Sequence, residues 1–376
     1  MKEIYFDNSA TTKISEEALK EYTACSIDYY ANPSALHKAG FSAEKQVEKA
    51  RKIIMKAFGA KSEKEVIFTS GGTEGDNIAI FGAVSAKSKL GKHIITSKIE
   101  HHAVLDWFKY LETQGFEVTY IDVDSSGYVD LKHFENAVRE DTILISIITV
   151  NNEVGSIQPI NVIRKKAKNA TIHTDAVQAF GKIDLSKIDA DLITVSAHKV
   201  HGPKGIGALY IKNGTKFKTT VFGGGQEFGI RSGTLNVPAI SSFGVAVNQL
   251  LENFDDNNKY INELQKYLIE RLNEIDGIKI NSVDHGNIVN VSFCGIRGEV
   301  LLHYLEDKNI YVSTGSACNA KSTKISYVLE AMNIDRKYAE GAIRISLSKF
   351  NTKEEIDIVI NEIKTGVTFL RKFKRR

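Results

Sequence analysis

The chain has 376 residues, 42% hydrophobic and 25% charged, which is the balance of a soluble globular protein. Lysine and arginine number 49 against 46 acidic residues, a net of +3 that excludes a general nucleic-acid coat and a broad field for steering polyanions. Three cysteines (Cys25, Cys294, Cys318) exclude a disulfide framework, and the absence of any CxxC pair argues against a zinc site.

The opening MKEIYFDNSATT has no apolar signal core, and no run nears the roughly 20 apolar residues of a membrane span. The expected location is therefore the cytoplasm, where thiols stay reduced. Strands are predicted at Glu65–Thr69, Lys92–Thr96, Glu117–Ile121, Thr142–Val150, Thr171–Thr174, Leu192–Ser196 and Gly207–Ile211. Helical patterns lie between most of them, at Thr73–Ala86, His102–Gln114 and Ile160–Lys168. Alternation of this kind predicts an α/β fold with a mostly parallel central sheet covered on both faces. A long helical stretch then runs over Val237–Glu274, with a polar break at Asp255–Asn258. A smaller α+β set follows: strand Ile288–Ser292, helix Gly298–Asp307, strand Ile310–Val312, helix Ser322–Met332, strand Ala342–Leu347 and helix Thr352–Arg371. The expected division is a large domain over residues 15–257 and a small domain built from residues 1–14 and 258–376.

Three strand ends carry chemistry. Ser70-Gly71-Gly72-Thr73 follows one strand and opens a helix, where glycines let backbone N–H groups approach an anion and Thr73 adds a hydroxyl. An ordinary capped turn would read the same way, and the segment is neither a Walker loop nor a GxGxxG site. Asp175 ends the strand TIHTD, where an acid is poorly hydrated unless it meets a cation, though a helix N-cap would also suit it. Ser196, His198 and Lys199 share the loop after LITVS. A lysine held in a cation-rich loop tends toward the neutral amine that forms a Schiff base, although a solvent-facing lysine is also compatible.

As a set, a phosphate cradle, a strand-end acid and a strand-end lysine on one sheet edge are what pyridoxal phosphate needs. Glu100-His101-His102 follows the strand HIITS, where an imidazole can lie over a planar ring, although a solvent-side histidine pair would read the same way. In Asn151-Asn152-Glu153 an amide at a strand end can donate to a phenolic oxygen, or merely satisfy the backbone of a turn. The segment Ser313-Thr-Gly-Ser-Ala-Cys318-Asn-Ala surrounds a thiol with small residues, the setting of a reactive cysteine or of an incidental surface one. Cys294 falls in a strand and Cys25 in a helical pattern, where cysteines serve as packing residues.

Read together, these segments resemble the NifS/IscS-type cysteine desulfurases of the class V pyridoxal-phosphate enzymes, which have the aspartate aminotransferase-like fold type I. The resemblance runs nearly end to end, through YFDNSATT (5–12), NPSALH (32–37), FTSGGTEGDN (68–77), EHHAVL (100–105), VNNEVGSIQPI (150–160), HTDAVQAFGK (173–182), SAHKVHGPKGIGALY (196–210), GGGQEFGIRSGTLNVP (223–238), STGSACNA (313–320) and AIRISLS (342–348). It implies that Lys199 is the Schiff-base lysine, Asp175 the partner of the pyridine nitrogen, and His101 the ring-stacking proton shuttle. Gln178 and Asn152 would face the phenolic oxygen, while Gly72, Thr73, Ser196 and His198 hold the phosphate. Thr234 would reach the phosphate of a neighbouring subunit, which implies a homodimer. Arg344 would grip the substrate carboxylate, with Asn8 and Asn32 lining the site, and Cys318 would accept the sulfur of L-cysteine. The implied partner is a sulfur acceptor, either an iron–sulfur scaffold or a tRNA-thiolation enzyme. No metal, membrane or direct nucleic-acid contact is expected. Ser322-Thr-Lys-Ile325 departs from the family's serine-leucine-glutamate-proline, so no particular acceptor is carried over.

Overall fold

The computed structural model describes residues 3–219, 221–284, 286–315 and 325–373. The chain opens with β1 (Ile4–Tyr5) and helices α1 (Glu16–Asp28) and α2 (Lys38–Phe58). Four strand–helix units follow: β2 (Val66–Thr69) with α3 (Gly72–Lys87), β3 (His93–Ser97) with α4 (His102–Thr113), β4 (Glu117–Ile121) with α5 (Leu131–Ala137), and β5 (Thr142–Ser146) with α6 (Ile160–Lys166). Then come β6 (Thr171–Asp175), β7 (Leu192–Ser196), β8 (Gly207–Ile211), α7 (Val237–Glu252), α8 (Phe254–Leu272), β9 (Ile278–Ile280) and β10 (Ile288–Phe293). The chain continues through α9 (Gly298–Glu306), β11 (Ile310–Tyr311), α10 (Tyr327–Ala331), α11 (Arg336–Ala339), β12 (Ala342–Ser346) and α12 (Lys353–Phe373).

Among the described residues the central sheet runs β2-β8-β7-β6-β5-β3-β4, with β8 antiparallel to both neighbours and the other pairs parallel. Strands β2, β3, β5, β6 and β7 are buried along their whole length, which is why they read as runs of Val, Ile, Leu and Thr. Their two faces feed two cores: Phe68 and Ile95 enter one with Ile54, Phe58 and Phe243, while Ile67 and Ile94 enter the other with Ile80 and Phe108. A third core joins Ile4 and Phe6 to Leu264, Leu268, Val291, Phe293, Leu301, Ile345 and Ile360. The antiparallel order β12-β10-β9 backs that core, and β1 pairs with β11. Val328, Leu329 and Met332 pack into the first of the large-sheet cores, not the third.

Three element boundaries differ from expectation. The strand predicted over Thr142–Val150 ends at Ser146, because Ile148 N donates to the Glu100 side chain (3.0 Å) where a neighbouring strand would otherwise accept. Helices α7 and α8 part at Asn253 (φ −121°), two residues before the predicted break. Of the helix predicted over Ser322–Met332, residues 322–324 lie outside the described residues, and the described helix starts at Tyr327, capped by Ser326 Oγ. Helices α2, α5 and α11 and strands β1 and β9 were not predicted, whereas α1 matches the helical pattern around Cys25.

Candidate active site

The register of the sheet brings the chemistry to one edge. Asp175, the last residue of β6, faces Thr194 on β7, and Ser196, the last of β7, faces Gly207 at the start of β8. Thr69 at the end of β2 also pairs with Gly207, so the Ser70–Gly72 turn opens beside Ser196. A Cβ on Gly207 would lie 2.9 Å from Gly71 Cα, so only glycine lets these segments close together. Gly71 caps α3 without a side chain, which leaves the helix start with no side-chain cap.

Lys199 donates to two main-chain carbonyls, Ser9 O (2.5 Å) and Ala10 O (2.8 Å). Gln178 Nε2 donates to the same Ser9 carbonyl (2.9 Å), and its Oε1 faces Lys182 Nζ (3.4 Å). The loop after Lys199 is laced to the same N-terminal segment: Thr12 N and Oγ1 donate to His198 O, and His201 N donates to Thr12 Oγ1. His201 takes a left-handed backbone (φ 62°) to make that turn. A small cavity of about 40 Å³ touches Asn8, Thr12, Lys182, Lys199 and Ser348.

The charges follow burial. Burial pushes the Asp175 carboxyl up to about 7, and the neighbouring Asp76 carboxyl adds to the rise. Burial holds the His101 imidazole below its usual range, with Asp175 opposing and Lys199 reinforcing the shift. His198 falls to about 4, through burial and then the lysines 199 and 204. His101 also caps α4, its Nδ1 accepting from Ala103 N (3.2 Å).

Other predicted residues are placed as follows. Asn152 is buried with its Oδ1 unpartnered, and its carbonyl accepts from Arg344 Nη1 (2.8 Å). The Arg344 fork is half engaged: Nη2 pairs with Asp7 (2.7 Å), while Nε has no partner. Asn8 bridges the N-terminal segment to β12 through Ser346 O (2.9 Å). Asn32 is exposed and accepts locally from Ser34 N (2.9 Å). Thr73 and Thr234 are exposed. Cys318 lies outside the described residues. Asp7, Ser9 and Ala10 carried no expected role in the sequence. Two of these act through backbone carbonyls, which leave no mark on residue type.

The chain belongs to the class-V aminotransferase family, whose model matches residues 4–359. It is 45% identical to a protein of Methanosarcina thermophila named cysteine desulfurase IscS, over 98% of this chain and 93% of the relative. It is 42% identical to a protein of the same name from Dictyoglomus turgidum, over 98% and 96%. A solved structure titled NifS-like protein superposes with a TM-score of 0.91 at 40% identity, covering 98% of this chain and 100% of that one. Another, titled SspA in complex with cysteine, gives 0.82 at 36%, covering 93% and 100%.

The family depends on pyridoxal phosphate, and the residues here fit that group. Ser196 Oγ is buried without a hydrogen-bond partner, at the uncapped start of α3, where a phosphate finds donors. Gly72 leaves room that a Cβ would fill, meeting Val177 Cγ2 at 2.8 Å. The raised Asp175 carboxyl lacks a cation, which a protonated ring nitrogen supplies. Among the described residues no group of His, Cys, Asp and Glu could hold a metal ion, and no helix is long and apolar enough to cross a membrane.

Proposed function

We propose that the protein is a cysteine desulfurase: it takes the sulfur from L-cysteine, leaves L-alanine, and carries the sulfur as a persulfide on Cys318. The acceptor is a partner protein serving iron–sulfur cluster assembly or tRNA thiolation. The observation that carries this reading is the meeting of Asp175, Lys199, His101 and the open start of α3 on one sheet edge, in a chain so similar over its length to proteins named cysteine desulfurase.

Lys199 is the amine that would tether the cofactor, and Asp175 would hold the proton on its ring nitrogen. Pyridoxal phosphate, when bound, supplies a ring that takes up the electrons released at the substrate's α-carbon. Gly72, Thr73, Ser196 and His198 would bind the phosphate, joined by Thr234 of the other subunit in a homodimer. Asn152 and Gln178 would face the phenolic oxygen. His101, kept neutral by burial, is able to accept and return a proton. Arg344, with Asn8 and Asn32, would orient the substrate carboxylate. Its free Nε, with the exchange of Asp7 for substrate, would provide a two-pronged grip. Lys199 would carry the α-proton, and the Cys318 thiolate would accept the substrate's sulfur as the substrate's carbon–sulfur bond breaks. We place the reaction in the cytoplasm, where the thiol stays reduced. We divide the chain into a large domain (15–257) and a small one (1–14 with 258–376), supported by the third core's use of both chain ends.

The test is direct. The purified protein should show a visible cofactor band that Lys199→Ala removes. Cys318→Ser should keep the band, yet release no sulfide from L-cysteine in the presence of a thiol reductant. Mass spectrometry should find one added sulfur on the Cys318 peptide of the unaltered protein. Sulfide release at the unaltered rate by Cys318→Ser would defeat the persulfide route.

A further inference from the structure

A second acid, unused by the mechanism above, stands beside Asp175. Asp76, one turn into α3, is 1% exposed, and its Oδ1 has no hydrogen-bond donor. It reaches this depth because Gly75 rests on β7: a Cβ at residue 75 would lie 2.6 Å from Thr194 Cγ2. Asp76 Oδ1 is 3.5 Å from His173 Nε2. The alternation of β6 puts His173 and Asp175 on one face of the strand, with Thr174 turned to the other. The His173 ring is gripped on both sides, with Nδ1 2.8 Å from Ser146 Oγ and Nε2 3.1 Å from Thr194 Oγ1.

Asp76 lies close enough to Asp175 to raise that carboxyl's hold on its proton, and two such carboxyls in a dry site do not ionise together cheaply. Their surroundings divide the roles. Asp175 ends its strand at the sheet edge, accepts Val177 N–H at 2.8 Å, and has His101 nearby to favour its charge. Asp76 is enclosed and its Oδ1 lacks a donor, with the Thr194 side chain opposing the effect of burial on its carboxyl. The third acid of the region, Glu100, is bound through one oxygen by Ser97 Oγ and Ile148 N, while its Oε2 lacks a partner and its buried carboxyl feels both Asp175 and Asp76.

We propose that Asp76 is a positioning residue: its carboxyl stays neutral and steadies His173, leaving Asp175 as the ionised member of the pair that faces the cofactor's ring nitrogen. The proposal rests on the pyridoxal-phosphate reading above, and it concerns binding at one ring atom.

The experiment titrates the cofactor-free protein with pyridoxal phosphate and, separately, with deazapyridoxal phosphate, in which carbon replaces the ring nitrogen. The ratio of the two dissociation constants reads the interaction at that nitrogen, whereas general damage to the fold weakens both compounds alike. Asp76→Asn, the shape of the neutral acid, should keep the preference for pyridoxal phosphate within about twofold, and Asp76→Leu and His173→Leu should each lower it about tenfold, the equivalent of one pKa unit. An unchanged preference in both leucine variants overturns the proposal. So does a loss in Asp76→Asn as large as in Asp76→Leu, because Asp76 would then be the charged acid. If Asp76→Leu does not fold, Thr194→Val removes the hydroxyl at His173 Nε2 with little change of shape. The preference must fall there too, or the proposal fails. An unaltered protein that binds neither compound overturns the cofactor reading itself, and the proposal with it.

Discussion

Lys199 rests on the carbonyl oxygens of Ser9 and Ala10, groups that every residue possesses. The amine, the acid and the glycine turn were legible in the sequence because their chemistry demands particular residue types at strand ends. What holds the amine was not, because a main-chain acceptor carries no residue identity. The same holds for Asp7, whose pairing with Arg344 spans the length of the chain. Asp175 makes a prediction at this scale. In the cofactor-free protein its folded-state proton is held more tightly than the unfolded one, since burial raises its pKa from 3.8 to about 7. Folding is therefore weakened progressively as pH rises through that interval, and the loss is complete above it. Asp175→Asn escapes the loss, so thermal unfolding should show the variant gaining on the unaltered protein from acid toward neutral pH. A gap that does not change with pH would contradict the assignment.

Helix α3 shows how an element delivers several groups at once. Its uncapped start faces Ser196, Gly75 lets it settle on Thr194, and Asp76 follows into the interior. The strand–turn–helix order was plain from the Gly-rich segment after an apolar run. The need for glycine at residue 75 was not, because it arises from a neighbour far along the chain. Gly75→Ala should destabilise the fold by about 1–3 kcal/mol, the usual range for overpacking, measured by urea unfolding. It should also weaken pyridoxal phosphate binding by lifting the helix start from Ser196. A variant of unaltered stability would show that α3 shifts freely, against the packing described. The end of β5 was misjudged for a related reason: residues 147–150 stay buried and mostly apolar, yet Glu100 from another loop takes the place of a strand partner at Ile148.

At the scale of the molecule, the α/β class and the cofactor set were legible from alternation and motif order. The docking of β1 on β11 was not, because a strand of two residues has no period to read. That docking joins the third core to the lysine. Phe6 is fully buried there, three residues before Ser9, and Phe293 is equally buried in the same core. Each to alanine should cost about 3–5 kcal/mol. Phe6→Ala should in addition weaken pyridoxal phosphate binding beyond what Phe293→Ala does, because it loosens the segment that holds Lys199. Equal losses of affinity in the two variants would separate the N-terminal segment from the site.

The same segment constrains how the protein comes into being. Residues 4–9 are held by β11 and by Ser346 of β12, near the far end of the chain. On the ribosome, the central sheet emerges long before those strands do. A nascent chain therefore carries its lysine before β11 and β12 have pinned residues 4–9.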